Sequence, residues 1–199
     1  MDNTGNSTVV GIKFKPERCI RQYRAAAVSN DAAPEDAVMV TYTSKPSETI
    51  EPKQHSATVF DAAAYILEKL GRCTTMKLHK LLYYCQAWSL VWDDAPLFSE
   101  PIEAWANGPV VRTLFNCHRG LFELTRDNFM YGNSSLLTPV QKETIDSVLS
   151  FYGDKPVQWL VNLTHSESPW RDARKGLDVT ERGNAVIGLT EMAEYYSSL

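Results

Sequence analysis

The stretch Met76–Trp88, MKLHKLLYYCQAW, decides how this chain folds. Leu78, Leu81, Leu82, Cys85, Trp88 and, one turn further on, Trp92 recur at helical spacing and share one face. The opposite side is not polar: Met76, Tyr83, Ala87 and Leu90 line up along it, so neighbours must enclose this helix over most of its circumference. Thr74 or Thr75 supplies an N-cap, and the spacing predicts a helix from there to about Trp92. A helix that is apolar nearly all round belongs at the centre of a bundle.

Working outward, Val59, Ala62, Ala63, Ile66, Leu67 and Leu70 predict a preceding helix that stops at Gly71. Downstream, Asn107, Gly108 and Pro109 open another, with Val110, Leu114, Cys117 and Leu121 on one side and Val111, Phe115, His118 and Phe122 beside them. Arg112, Asn116 and Arg119 fall on its wet side. Thr138, Pro139 and Gln141 form an N-cap, first-turn proline and capping box ahead of Val140, Ile145, Val148 and Leu149, and that helix stops near Gly153. Pro156 opens a segment with Trp159, Leu160 and Leu163; Ser168 and Pro169 open a short turn of helix at Trp170; Thr190 caps a last helix through Tyr195 and Tyr196. No strand and helix alternate after residue 56. The expected fold is therefore all-α, a compact domain of about six helices over residues 56–199.

Residues 1–55 have a different grammar and read as a mixed or irregular accessory segment with a linker. Pro16, Pro34, Pro46 and Pro52 interrupt them. Val9–Phe14 and Ala37–Thr43 have the β-branched and aromatic character of short strands, Glu17–Val28 follows Pro16 as a short helix, and Ser44–Gln54 is a polar linker. Seven basic and seven acidic residues balance in this segment, which leaves 13 basic against 17 acidic in the helical domain.

Of the 199 residues, 44% are hydrophobic and 22% charged, the balance of a globular protein able to bury a core without a metal or a disulfide. Cys19, Cys73, Cys85 and Cys117 are widely spaced and form no CxxC pair, which argues against a zinc ribbon or a disulfide framework and suits a reducing compartment. Met1–Thr8 are polar, with neither the basic nor the apolar part of a secretory signal, and no apolar run reaches the roughly 20 residues of a membrane span. These features predict a cytoplasmic protein without membrane insertion. A formal net charge of −4 gives little to draw on for neutralising phosphates, so nucleic acid is an unlikely partner.

Signatures of catalysis are missing from the sequence. There is no GxxxxGK[ST] or GxGxxG phosphate cradle, no GxSxG elbow and no HExxH pair. His165 and Glu167 form the H-x-E triplet that zinc deaminases use, but no cysteine follows Cys117 to complete such a ligand set. Cys117 and His118 are adjacent, and adjacent helical side chains diverge by about 100°. Neither an enzyme, a metal nor a cofactor is expected. His79 shares a helix side with Tyr83 and Gln86, as a satisfied interior histidine or as part of a binding stripe. Arg112, Asn116 and Arg119 are either a solvated face or a surface that steers an acidic partner.

Three segments in order resemble the Panacea domain of phage-associated proteins and antitoxins. Thr74 with Met76–Trp88 is similar to its T-x-x-K-L-x-K-L-L-Y-Y pattern, Pro101–Val111 to E-A-W-x-x-G-P-V, and Thr164–Trp170 to T-H-x-x-x-P-W. The resemblance spans about Ser56–Leu199 and implies a helical binding domain: an antitoxin that neutralises a cognate protein toxin, encoded by the adjacent gene, through direct contact. Some relatives instead hand their toxin to a protease, and many antitoxins repress their own operon, so a proteolytic adaptor and a helical DNA-binding autoregulator are the alternatives. Of the matched residues, Gly108 and Pro109 are expected to fix the angle between Trp105 and the next helix. Tyr83, Tyr84, Trp105, His165 and Trp170 either pack the core or, with His79, Arg112, Asn116 and Arg119, contact the partner. Residues 1–55 lie outside the resemblance and either contact the partner or cover the domain.

Overall fold

The helix expected from Met76–Trp88 is the axis of the fold. In the computed structural model, which describes residues 57–178 and 180–199, α2 runs from Thr75 to Trp92 and every residue from Leu78 to Ser89 is buried. Thr74 is the N-cap, its hydroxyl accepting the Lys77 N–H at 3.3 Å. The elements expected at Val9–Phe14, Glu17–Val28 and Ala37–Thr43 lie outside the described residues.

Two helices stand where capping boxes place them. Helix α1 spans Val59–Leu70; Thr58 and Asp61 close a capping box at its start, and Gly71 at φ +74 ends it. Helix α4 spans Pro139–Tyr152, with Thr138 and Gln141 as the reciprocal pair and Gly153 as its C-cap. Helix α5, Val157–Ser166, follows Pro156. Helix α6, Ser168–Ala173, has its proline in the first turn. The last helix, α7, spans Leu189–Ser197 and begins earlier than expected, with Gly188 as N-cap and Thr190 inside the first turn.

Two departures change the fold class from all-α to mostly helical with two small antiparallel sheets. Arg72–Thr74 (β1) pairs with Glu123–Thr125 (β4), with Cys73 opposite Leu124 and both buried. Ile102–Trp105 (β2) pairs with Gly108–Val111 (β3). Residues 108–111 thus form a strand and do not open a helix; the helix that follows, α3, is only Arg112–Cys117. Gly108 explains the difference. It takes φ +101 just after the two-residue turn Ala106–Asn107, a conformation that exits a hairpin and cannot start a helix. Pro109 sits opposite Ala104, whose N–H bonds outward to the Ala185 carbonyl at 2.8 Å, so the proline's missing donor is not needed for the pairing. Beyond α3, Gly120 at φ +89 turns the chain and leaves Leu121 and Phe122 exposed.

Leu78, Leu81, Leu82, Cys85 and Trp88 of α2 pack with Ile66 and Leu67 of α1, Ile145 and Val148 of α4, Leu160 of α5 and Met192 of α7 in one continuous core. Burying each such aliphatic side chain contributes roughly 1.5–3 kcal/mol before entropy is counted, so α2 is the element on which the domain's stability depends most.

Candidate functional site

Helix α2 seals the outer edge of the hairpin with side chains. Strand β3 turns the carbonyl of Pro109 and the N–H of Val111 away from β2, and α2 meets both: Lys80 Nζ donates to Pro109 O at 3.2 Å, and His79 Nδ1 accepts from Val111 N at 3.2 Å. Unpaired backbone groups buried there would each be costly, so these two bonds let a sheet edge lie inside the protein. Lys80 is 1% exposed, and burial draws its amine down to a pKa of about 7. Because His79 Nδ1 accepts, its proton lies on Nε2, which donates to His118 Nε2 at 2.9 Å. Burial lowers both imidazoles; His118 and Lys80 lower His79 further.

The outward face of the hairpin carries an ion pair under an aromatic plate. Arg112 Nε and Nη2 donate to Glu103 at 2.7 and 2.6 Å, and Trp105 Nε1 donates to the same carboxylate at 2.7 Å. Burial works to raise the Glu103 carboxyl, but the hydrogen bonds from Arg112 and Trp105 and the guanidinium charge outweigh it, and its pKa is lowered. The Arg112 guanidinium lies 5.2 Å from the Trp105 ring, whose other neighbour is Phe115, edge-on at 4.9 Å. On the inner side, Trp170 Nε1 donates to the Trp105 carbonyl at 3.0 Å, and the His165 ring stacks on Trp170 at 4.0 Å with 6° between planes. Arg174 lies over the same indole and donates to Ala104 O at 2.9 Å.

Glu167, between α5 and α6, points into a nest of tyrosines. Tyr196 donates to its Oε2 at 2.7 Å, and Tyr84 lies 3.3 and 3.4 Å from its two oxygens. Burial raises the Glu167 carboxyl to about 8, against the pull of the hydrogen bonds from Tyr196 and Tyr84. Tyr84 stacks on Tyr152 at 4.2 Å, and the Tyr83 hydroxyl is buried beside it. Glu167 and His165 therefore serve different neighbours, and the H-x-E triplet makes no joint site. Among the described residues, no group of three or more His, Cys, Asp or Glu is placed to hold a metal ion.

Three separate stretches of sequence thus meet. Lys80 belongs to the first, Glu103, Trp105, Gly108 and Pro109 to the second, and Thr164, His165 and Trp170 to the third. A family model described as "Antitoxin SocA-like, Panacea domain" matches residues 78–171, from the first buried turn of α2 into α6. Over those residues the chain is similar to a Panacea domain. None of the curated proteins and none of the solved structures compared matches it.

The residues expected to touch a partner separate by depth. His79, Tyr83, Tyr84 and Trp170 are buried, at 4%, 0%, 0% and 5% exposure. For them the expectation of partner contact gives way to packing, because a protein approaching the folded surface does not reach them. Gly108 and Pro109 are buried at the meeting point of α2 and α5. Trp105 and His165 are partly exposed, while Arg112, Asn116 and Arg119 are exposed. Arg119 lies past the end of α3, so it follows Asn116 on a turn and not on a shared helical stripe.

Sequence reasoning missed Lys80 and Glu103, and it weighed His118 and Glu167 only as catalytic groups and set them aside. Each is a polar group that the tertiary fold buries, and a charged side chain is expected at the surface unless its partner is known. The signal for Lys80 was present all the same: it sits inside the apolar run Leu78–Tyr84, where an exposed lysine has no room.

Proposed function

We propose that this protein is an antitoxin that neutralises a cognate protein toxin by direct, stoichiometric contact, without catalysis, in the cytoplasm. The observation that carries the proposal is the match of residues 78–171 to the antitoxin-like Panacea domain. The site agrees with a binding role. Its buried polar groups are spent on joining segments, and its exposed part is a tryptophan, an arginine and their neighbours on a rigid hairpin. Trp and Arg are the residue types that most often dominate binding energy at protein interfaces. Among the described residues, no helix is long and apolar enough to cross a membrane, so a toxin would be met through a water-exposed face of this domain.

Trp105 with Arg112, and Asn116 and Arg119 beyond them, form the face proposed to meet the toxin. The experiment is co-expression of the full chain with the product of the adjacent gene, scored by growth and by co-purification. Restored growth with a stable complex is the expected outcome. Failure of both rescue and co-purification refutes the proposal. If rescue depends on a host protease and toxin levels fall, the masking mechanism is replaced by delivery to that protease.

A further inference from the structure

Residues 185–187 line the hairpin's second edge, and nothing in the described residues covers their own far side. Past β2, Glu103 makes a bridge to Val186: Ala104 N donates to Ala185 O and Ile187 N donates to Ile102 O, each at 2.8 Å. Residues 185 and 187 therefore face β2 with their backbone groups. The intervening Val186 turns its N–H and C=O the other way, and neither makes a hydrogen bond among the described residues. Its side chain is 59% exposed and lies on the same sheet face as Glu103 and Val110, because residues directly paired in antiparallel strands share a face.

Edges of this kind are normally blunted by lysine, proline or inward charge, since an open row of donors and acceptors recruits other strands. Here the sequence from Gly183 to Gly188 is GNAVIG, with no charge and no proline. The contrast with β3 is sharp. On that side α2 sends His79 and Lys80 to occupy the edge groups.

We propose that Asn184–Gly188 is the docking edge for an extended segment of the partner polypeptide, which adds beside Val186 as a further strand of the β2–β3 sheet. The inference rests on the antitoxin reading and names the interface that reading needs. The occupant follows from the edge's chemistry: a donor and an acceptor on one residue in strand geometry are matched by another extended backbone. A second copy of this chain fits less well. Its own edge ends at Gly188, where α7 begins, so two copies centred on Val186 could share little more than one mutual pair of bonds. A free extended segment has no such limit.

The test uses the full chain co-expressed with the adjacent gene's product, with affinity measured on the purified complex. Val186→Pro removes the outward N–H without touching the inward bonds of Ala185 and Ile187, and Val186→Lys restores the missing charge while keeping the backbone. Val186→Pro should weaken binding by about tenfold or more, the scale of one lost hydrogen bond that leaves its partner group unsatisfied, and Val186→Lys should weaken it in the same direction by placing a charge where the added strand would pack. Val186→Thr should stay within about twofold. In the wild-type complex the Val186 amide should exchange hydrogen more slowly than in the free protein. Unchanged affinity in both Pro and Lys variants, with melting temperatures equal to wild type, overturns the edge but leaves the antitoxin standing, as does unchanged amide exchange. Concentration-dependent self-association of the free chain that Val186→Pro abolishes would assign the edge to a second copy and also overturn it. Absence of any complex with the wild type removes both proposals together.

Discussion

Adding one methyl group at Gly108 should cost the domain a large share of its stability. Gly108 holds φ +101, where an L side chain costs roughly 1–2 kcal/mol. A Cβ there would also coincide with the end of Lys80, 2.6 Å from its Cε, and lie 3.2 Å from Thr164 Oγ1. The end of a lysine can swing, so the backbone need not shift. Inside the protein, however, the swing breaks the bond from Nζ to Pro109 O and leaves both groups buried, at roughly 1–3 kcal/mol. The two parts together give about 2–5 kcal/mol, out of the 5–15 kcal/mol typical of a whole domain. Urea denaturation of Gly108→Ala at pH 8 measures it, and a loss below about 1 kcal/mol would refute the reasoning. A double-mutant cycle with Lys80→Ala isolates the steric part. Without the lysine the methyl meets only Thr164 Oγ1, at 3.2 Å, so the double variant should lose at least about 1 kcal/mol less than the sum of the singles. Strict additivity would mean that Gly108 and Lys80 do not touch.

Other outcomes follow from the same groups. The folded-state pKa values of His79 and His118 are lowered below the ordinary 6.5, so the stability these groups contribute is full above that value and is lost as pH falls below it. Urea midpoints from pH 7.5 down to 5 should fall, and His118→Gln should flatten the decline; an unchanged slope in that variant would exclude the pair as its source. Glu167 has the opposite sign. Its folded pKa is raised to about 8 from 4.5, so its contribution is full below 4.5 and lost as pH rises through about 8. Glu167→Gln should therefore gain stability relative to wild type between pH 5 and 9. The comparison must be between variants, because Lys80, drawn down to about 7, pushes stability upward over the alkaline part of that range. Arg119→Glu and Asn116→Ala lie on exposed positions and should move stability by no more than about 0.5 kcal/mol while weakening toxin binding; calorimetry on each variant checks both.

The capped helices were legible in the sequence because their chemistry is local. Thr138 and Gln141 are three residues apart and satisfy each other's backbone groups whatever the rest of the chain does. Gly71 likewise ends its helix at φ +74, a backbone property that a short window contains. The hairpin was not legible, since Asn107, Gly108 and Pro109 suit both a helix start and the exit from a turn. What decides between these is distant in sequence: His79 and Lys80 receive the β3 edge, and Ala185 and Ile187 flank β2. A pairing that must be supplied by three separate segments leaves no periodic trace in any one of them. His79 is buried with both ring nitrogens engaged, as an interior histidine should be, but its partner His118 was hidden behind the adjacent Cys117. Expecting a long helix had put residue 118 on the same face as Phe122, which is 81% exposed, whereas the chain turns at Gly120 and parts them.

A Panacea match reports the frame more than the interface. Lys80, Gly108, Pro109, Thr164 and Trp170 all lie inside the matched range and are buried where α2, the hairpin and the α5–α6 corner meet. Residues in that position constrain one another: changing one leaves a buried donor or a filled volume uncompensated, so the pattern can persist whichever protein the domain binds. Choice of partner has to be made by groups that solvent reaches, such as Arg112, Asn116 and Arg119, and at Val186, which lies beyond the match. The two sets should separate by experiment. Substitutions in the buried set should lower melting temperature and reduce neutralisation only in proportion to the folded fraction. Changes in the exposed set should alter which toxin is bound at constant melting temperature. A buried-set variant that stays fully folded yet loses binding, such as Trp170→Phe with an unchanged melt, would show that the frame itself contacts the toxin and would overturn this division.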